Sequence, residues 1–280
     1  MIRDAGLASK LWRTAVWAVV AVFVLNLLAL IATVVIDSLS TRWLGTWLPA
    51  GFTAHWYADA WDEFGLTDVL VVTFEAVGLV VLISGALGVT AAYALARRDF
   101  PGKRLATLVF LLPLLVPPLT YGIPMATLLY RVGLGGSLSG VVLANLVPAV
   151  PFVVLVMIPF IEQIDPRVEA AARVFGASTA QLFARVLLPL LLPGVLAALL
   201  LVLVRTVAMF ELTFLTSGPT SQTLVVALYY AVFASGVRAG QEVDVMAVVY
   251  MVTTLVWLLL ALRFVNPTQI VARAKTQGAH

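Results

Sequence analysis

Residues 165–189 read DPRVEAAARVFGASTAQLFARVLLP and form the one long polar interruption between hydrophobic stretches of the chain. Asp165 is a good N-cap and Pro166 suits a first helical turn, so the sequence predicts a short Ala-rich helix that starts there and stops at Gly176. A second helix is expected at once. Ser178 and Gln181 have capping-box spacing, and Leu182, Phe183, Val186 and Leu187 carry the apolar pattern into Pro189, where the next hydrophobic stretch begins. Glycine tolerates the left-handed turn that such a helix-turn-helix needs at residue 176. Ala170, Ala171 and Ala172 present side chains small enough for another protein's surface to come close. Two readings follow: a docking element outside the membrane, or an amphipathic loop that packs on its own bundle.

The surrounding chain fixes the setting. Of 280 residues, 62% are hydrophobic and 11% charged, which places the protein in the polytopic membrane class and excludes an ordinary soluble core. There is no cysteine, so disulfides and thiolate metal sites are impossible, and His55 and His280 lie far apart. No metal site and no cofactor are expected. Hydrophobic runs near 14–36, 67–96, 105–130, 139–161, 190–216 and 243–262 predict six spans in an all-α membrane protein. Lys and Arg alternate between the connections. Arg3, Lys10 and Arg13, then Arg97, Arg98, Lys103 and Arg104, then Arg167, Arg173 and Arg185, and finally Arg263, Arg273 and Lys275 fall on one side; only Arg42, Arg131 and Arg238 fall on the other. By the positive-inside rule both termini and the 165–189 loop of a multi-pass protein face the cytoplasm, and the cell (inner) membrane is the expected location. The basic balance thus reports topology, not nucleic-acid binding, and membrane lipid is an expected partner of the spans. One membrane domain over 1–280 is expected, with no separate soluble domain.

The central loop resembles the EAA loop of the permease subunits of binding-protein-dependent ABC importers: Glu-Ala-Ala, three residues, Gly, nine residues, an aliphatic, one residue, Leu-Pro. Gly176, Val186, Leu188 and Pro189 fit that spacing; the motif's Glu falls on Ala170, and Glu169 sits one place earlier. The turn ALARRDFPGKR and the segment from Thr216 onward resemble the same positions in spermidine/putrescine-type permeases. The resemblance implies the type I importer permease fold, with Glu169, Ala170, Ala171, Gly176, Ala177 and Ser178 as the surface that couples to a separate ATPase. It also implies partners: ABC ATPase subunits, a second permease subunit and an extracytoplasmic solute-binding protein. Polyamines, or another small polar solute, are the expected cargo.

Polar residues inside the spans mark the remaining candidates. Ser84, Gly88, Ala92 and Ala96 recur every four residues and make a smooth face for a neighbouring helix. Prolines at 113, 117, 118 and 124 in the third span, and at 148, 151 and 159 in the fourth, point either to breaks in adjacent helices that shift around a pathway or to static kinks that shape the bundle. Ionisable groups are costly in a span and serve as pathway candidates by default; here they are Glu75, Arg205 and Glu211. Arg205 and Glu211 lie six residues apart, about 120° around a regular helix, so they are not expected to pair with each other, and Glu75 is one possible partner for Arg205. A structural ion pair and contact with the transported solute both remain open. No phosphate-binding loop of the G-x-x-x-x-G-K-[ST] kind occurs in these 280 residues, so energy from ATP has to enter through another chain and no catalytic residue is expected. The competing class is an ion-gradient-driven secondary transporter using Glu75 and Glu211, although no internal repeat supports it.

Overall fold

The computed structural model of the chain describes residues 3–233 and 239–264. Among these it is helical almost throughout: α1 (Arg3–Asp37), α2 (His55–Glu63), α3 (Leu66–Arg97), α4 (Lys103–Leu115), α5 (Pro118–Arg131), α6 (Leu138–Glu162), α7 (Pro166–Val174), α8 (Thr179–Gln181), a π-helical turn (Leu182–Leu187), α9 (Leu188–Val207), α10 (Glu211–Thr216), α11 (Leu224–Phe233) and α12 (Gly240–Phe264). Five helical segments among the described residues are long and apolar enough to cross a membrane, and α4 with α5 makes a sixth if that bent pair is one span. The all-α membrane fold holds. Arg238, Arg273, Lys275 and His280 lie outside the described residues.

The chain forms two compact units, residues 1–64 with 231–249 and residues 65–230 with 250–280. In the first unit α1 is exposed from Ser9 to Thr33, an apolar surface suited to lipid or to another helix. The segment after it is held by side chains: the Ser40 hydroxyl donates to Asp37 at 2.7 Å and the Trp56 indole donates to the Ser40 carbonyl at 2.8 Å. Trp47, Leu44 and Leu48 stay exposed, as expected of chain lying at a bilayer surface.

The second unit is built on α3, α6 and α9. Ser84, Gly88 and Ala92 are buried along the small-residue face of α3. A Cβ at Gly88 would stand 2.5 Å from that of Val153 on α6, and one at Gly85 would stand 2.7 Å from Leu199 on α9, so both helices use the missing side chains to approach α3. Val80, Val153, Met157, Ile161, Leu187, Leu191 and Val202 fill the resulting core.

The third span breaks as its prolines suggest, whereas the fourth and fifth differ from their sequence reading. The third is bent by 98° between α4 and α5. Val116, ahead of Pro117, is extended because a proline ring crowds the helical conformation of the residue before it, and Pro118 then starts α5. By contrast Pro148, Pro151 and Pro159 all lie inside an unbroken α6, so the break expected there does not occur. The fifth span, expected as 190–216, is instead helical from Thr179 to Val207, stops at residues 208–210 and resumes as α10.

Candidate coupling loop and membrane-interior polar site

The 165–189 segment folds as its local chemistry dictates. The Asp165 side chain accepts from the Arg167 amide at 2.9 Å and starts α7. At the other end Gly176 has φ +84°, its amide donates to the Arg173 carbonyl, and the Ala177 amide donates to the Ala172 carbonyl. These two bonds close a Schellman turn around the left-handed glycine. Ser178 and Gln181 form the reciprocal capping box: the Gln181 amide donates to the Ser178 hydroxyl at 3.3 Å, and the Ser178 amide donates to the Gln181 side chain at 2.9 Å. The π turn follows directly. Pro189 would collide with the carbonyl four residues back in a regular helix, and a wider turn just before it relieves that contact.

Glu169 faces inward. Its side chain is 7% exposed; one carboxylate oxygen accepts from Arg97 Nε at 2.8 Å and the other from the Tyr93 hydroxyl at 2.6 Å. Arg173 stands 3.8 Å away, more exposed. The Arg97 guanidinium also donates to the Ile164 carbonyl, in the linker between α6 and α7. Tyr93 and Arg97 therefore belong to this site although sequence reasoning did not place them there; one turn apart at the end of α3, they had no partner until the loop folded against them. Ala170 and Ala171 face outward with Ser178, and Ala177 is half-buried. The outward tip carries two apolar residues that the sequence reading passed over, Val174 at 85% and Phe175 at 90% exposure. Their signal lay in register: with Glu169 and Ala172 on the inner face of a short helix, positions 174 and 175 fall outside it.

Within the spans the three ionisable candidates separate. Glu75 lies on the exposed face of α3 and forms no ion pair with Arg205. Arg205 is on α9 and Glu211 opens α10, so the helical break places them on different elements and the expected 120° relation does not apply. Arg205 lies 5.4 Å from the Phe152 ring centroid, and among the described residues no carboxylate is within ion-pairing distance of it. A cavity of about 10 Å³, enough for one water, is lined by Arg205, Thr206, Asn145 and Met209 together with small apolar neighbours. Asn145 donates to the Thr213 hydroxyl at 3.2 Å, tying α6 to α10. The Tyr121 hydroxyl, on α5, is buried and has no hydrogen-bond partner among the described residues. Phe210, just before Glu211 in the chain, stacks on Phe214, and Tyr229 meets both rings, tilted against Phe210 and edge-on to Phe214. Among the described residues no cluster of three metal-ligating side chains occurs.

The model of the family described as binding-protein-dependent transport system inner membrane component matches residues 84–271, two thirds of the chain. The chain belongs to that family. The permease is 36% identical over 159 residues to the molybdenum transport system permease protein ModB of Haemophilus influenzae, covering 51% of this chain and 69% of that protein. It is 30% identical to ModB of Escherichia coli, with 61% and 82% covered, and 34% identical to the sulfate transport system permease protein CysW of Synechocystis, with 47% and 52% covered. Its fold matches a chain of a bacterial ABC transporter that imports the acidic polysaccharide alginate, with a TM-score of 0.71, 18% identity and 98% of both chains covered. The expectation of an importer permease is thus met, and the permease is a transport component without its own ATP-binding site. The family also displaces the gradient-driven alternative. The polyamine expectation finds no support, because these relatives carry molybdenum and sulfate in their names.

Proposed function

We propose that this permease forms half of an ATP-driven import pathway and receives the movement of a separate ATPase on α7 and its Gly176 turn. The observation that carries the reading is the outward tip: Val174 and Phe175 are held in solvent by a helix pinned from behind through Glu169. An apolar pair so exposed on a capped, fixed helix suits insertion into another protein's groove, flanked by Ala170, Ala171 and Ser178. In this reading the loop and both termini face the cytoplasm, a second permease subunit and lipid cover the exposed spans, and an extracytoplasmic solute-binding protein delivers the cargo. A pull-down of the tagged chain from detergent, with mass spectrometry, is expected to recover an ABC ATPase and a second permease. Phe175→Asp should cut ATPase recovery by about 30-fold, the size of one buried aromatic anchor; unchanged recovery would count against docking at this tip.

For the cargo, a small oxyanion is the class best supported. Among the described residues Arg205 has no carboxylate within ion-pairing distance, the Tyr121 hydroxyl is buried without a hydrogen-bond partner, and relatives are named for molybdenum and sulfate transport. An unmet buried hydroxyl costs about 1–3 kcal/mol, a cost that water or a passing solute would remove. Glu211 across the helical break, and Glu75 on the exposed face of α3, would then repel the anion and limit its dwell time. Arg205→Gln is expected to lower uptake of labelled molybdate or sulfate by about tenfold, the scale of one charge-assisted hydrogen bond, while leaving assembly with the ATPase intact. Uptake that stays normal would remove Arg205 from the pathway.

A further inference from the structure

The Tyr93–Arg97–Glu169 cluster does more than fill the space behind α7. Arg97 reaches three elements, belonging to α3, pairing with Glu169 on α7 and donating to Ile164 in the linker from α6. Tyr93, one turn earlier, holds the second oxygen of the same carboxylate, and its ring meets Phe183 of the π turn edge-on at 6.0 Å. Two side chains on one face of α3 therefore grip both halves of the coupling loop. With both oxygens of Glu169 occupied, α7 is fixed in rotation about its axis as well as in position. The charges are buried, at 13% and 7% exposure, so water does not substitute for either partner without reorganisation. From α3 the contact continues inward, since Gly88 and Gly85 seat α3 directly on α6 and α9.

We propose that this cluster is the joint through which displacement of α7 reaches α3 and the bundle core, with Tyr93 and Arg97 as positioning residues for coupling. The proposal rests on the reading that α7 receives the ATPase. Without the joint, α7 keeps its two chain ends, the short linker after α6 and the Gly176 turn, and the packing of the small Ala172 side chain on the core, but loses its polar ties to α3 and can rock with less effect on that helix. Glu169 on this account acts inside the permease, not at the ATPase surface.

The test uses the complete complex in nanodiscs: the permease, the ATPase and second permease that co-purify with it, and the cognate binding protein with the solute it carries from the cell. Three readouts are taken for each variant: ATPase recovery in the pull-down, basal ATP hydrolysis, and hydrolysis with saturating binding protein. Glu169→Gln and Arg97→Gln are expected to keep ATPase recovery and basal hydrolysis while the stimulated-to-basal ratio falls by about tenfold, within the coupling range of contacting charged residues. Tyr93→Phe, which removes one hydroxyl, should lower the ratio by about threefold and serves if a charge variant fails to fold. Reversing the pair with Arg97→Glu and Glu169→Arg together should restore part of the ratio lost in either single reversal, a rescue that simple destabilisation does not give. Unchanged ratios in the single variants, or an unaltered complex whose hydrolysis ignores the binding protein, would overturn the joint. Loss of ATPase recovery in well-folded Glu169→Gln would also overturn it and assign Glu169 to the ATPase surface. Failure of the unaltered chain to recover an ATPase would instead remove the docking reading.

Discussion

Isoleucine at position 88 is expected to remove most of the folded permease from the membrane. The reason is the distance between α3 and α6: a Cβ at Gly88 would lie 2.5 Å from Val153 Cβ and 3.2 Å from the Val150 carbonyl oxygen. Val153 is completely buried and has no free direction in which to move. Overpacking of this kind costs typically 1–3 kcal/mol and occasionally more; since the first atom already clashes and three further carbons follow, the loss should be at least about 3 kcal/mol. Against a typical total of about 5–15 kcal/mol, that depletes the folded state. Fluorescence-detected size exclusion at increasing temperature would read it as loss of the monodisperse peak. Gly78→Ala is the control, because nothing lies within 4 Å of a Cβ there, and it should melt like the unaltered chain. A monodisperse, thermally normal Gly88→Ile protein would show that the two helices separate easily, contrary to the packing described.

Valine at position 176 should leave the bundle intact and lower ATP-driven uptake by about tenfold or more. Gly176 has φ +84°, but no heavy atom lies within 4 Å of the point where a Cβ would stand, so the whole penalty is conformational. For an ordinary residue the left-handed region costs roughly 1–2 kcal/mol, and a β-branched side chain is worse placed still. Relief comes from unwinding the Schellman turn, which releases α7 from α8 and displaces the Val174–Phe175 tip. We expect uptake to fall about tenfold or more, the effect of somewhat over ~1.4 kcal/mol on productive docking, with protein level unchanged. Gly176→Asn, which tolerates the same backbone region, should retain most of the activity. Normal uptake at normal protein level in Gly176→Val would sink the argument.

What can be read from the sequence is what residues decide with their neighbours. Asp165, Gly176, Ser178 and Gln181 act over at most a few positions, and the caps and the turn they imply are present with the expected partners. The small-residue face of α3 is equally legible, because its four-residue spacing is a property of one helix. Breaks are harder. Proline opens a helix only where the rest of the protein allows it, so Pro117 bends the third span by 98° while Pro148, Pro151 and Pro159 stay within an unbroken run of helix on α6. The stop at residues 208–210 carries no proline or glycine and leaves no mark that local reasoning recognises. Glu169 reads as a surface residue in the sequence because its partners, Tyr93 and Arg97, are more than 70 positions away; the pairing exists only once α7 folds back on α3.

The continuity of the helical run from Thr179 to Val207 has a mechanical consequence. At 1.5 Å per residue it is a rod of roughly 43 Å, with one end in the 165–189 loop and the other beside Arg205. A tilt of about 10° about the loop end sweeps the far end through roughly 7 Å on that length, comparable to the width of a small solute. A hinge at residues 208–210 would confine such a sweep to α9 and change the separation of Arg205 on α9 from Glu211 on α10.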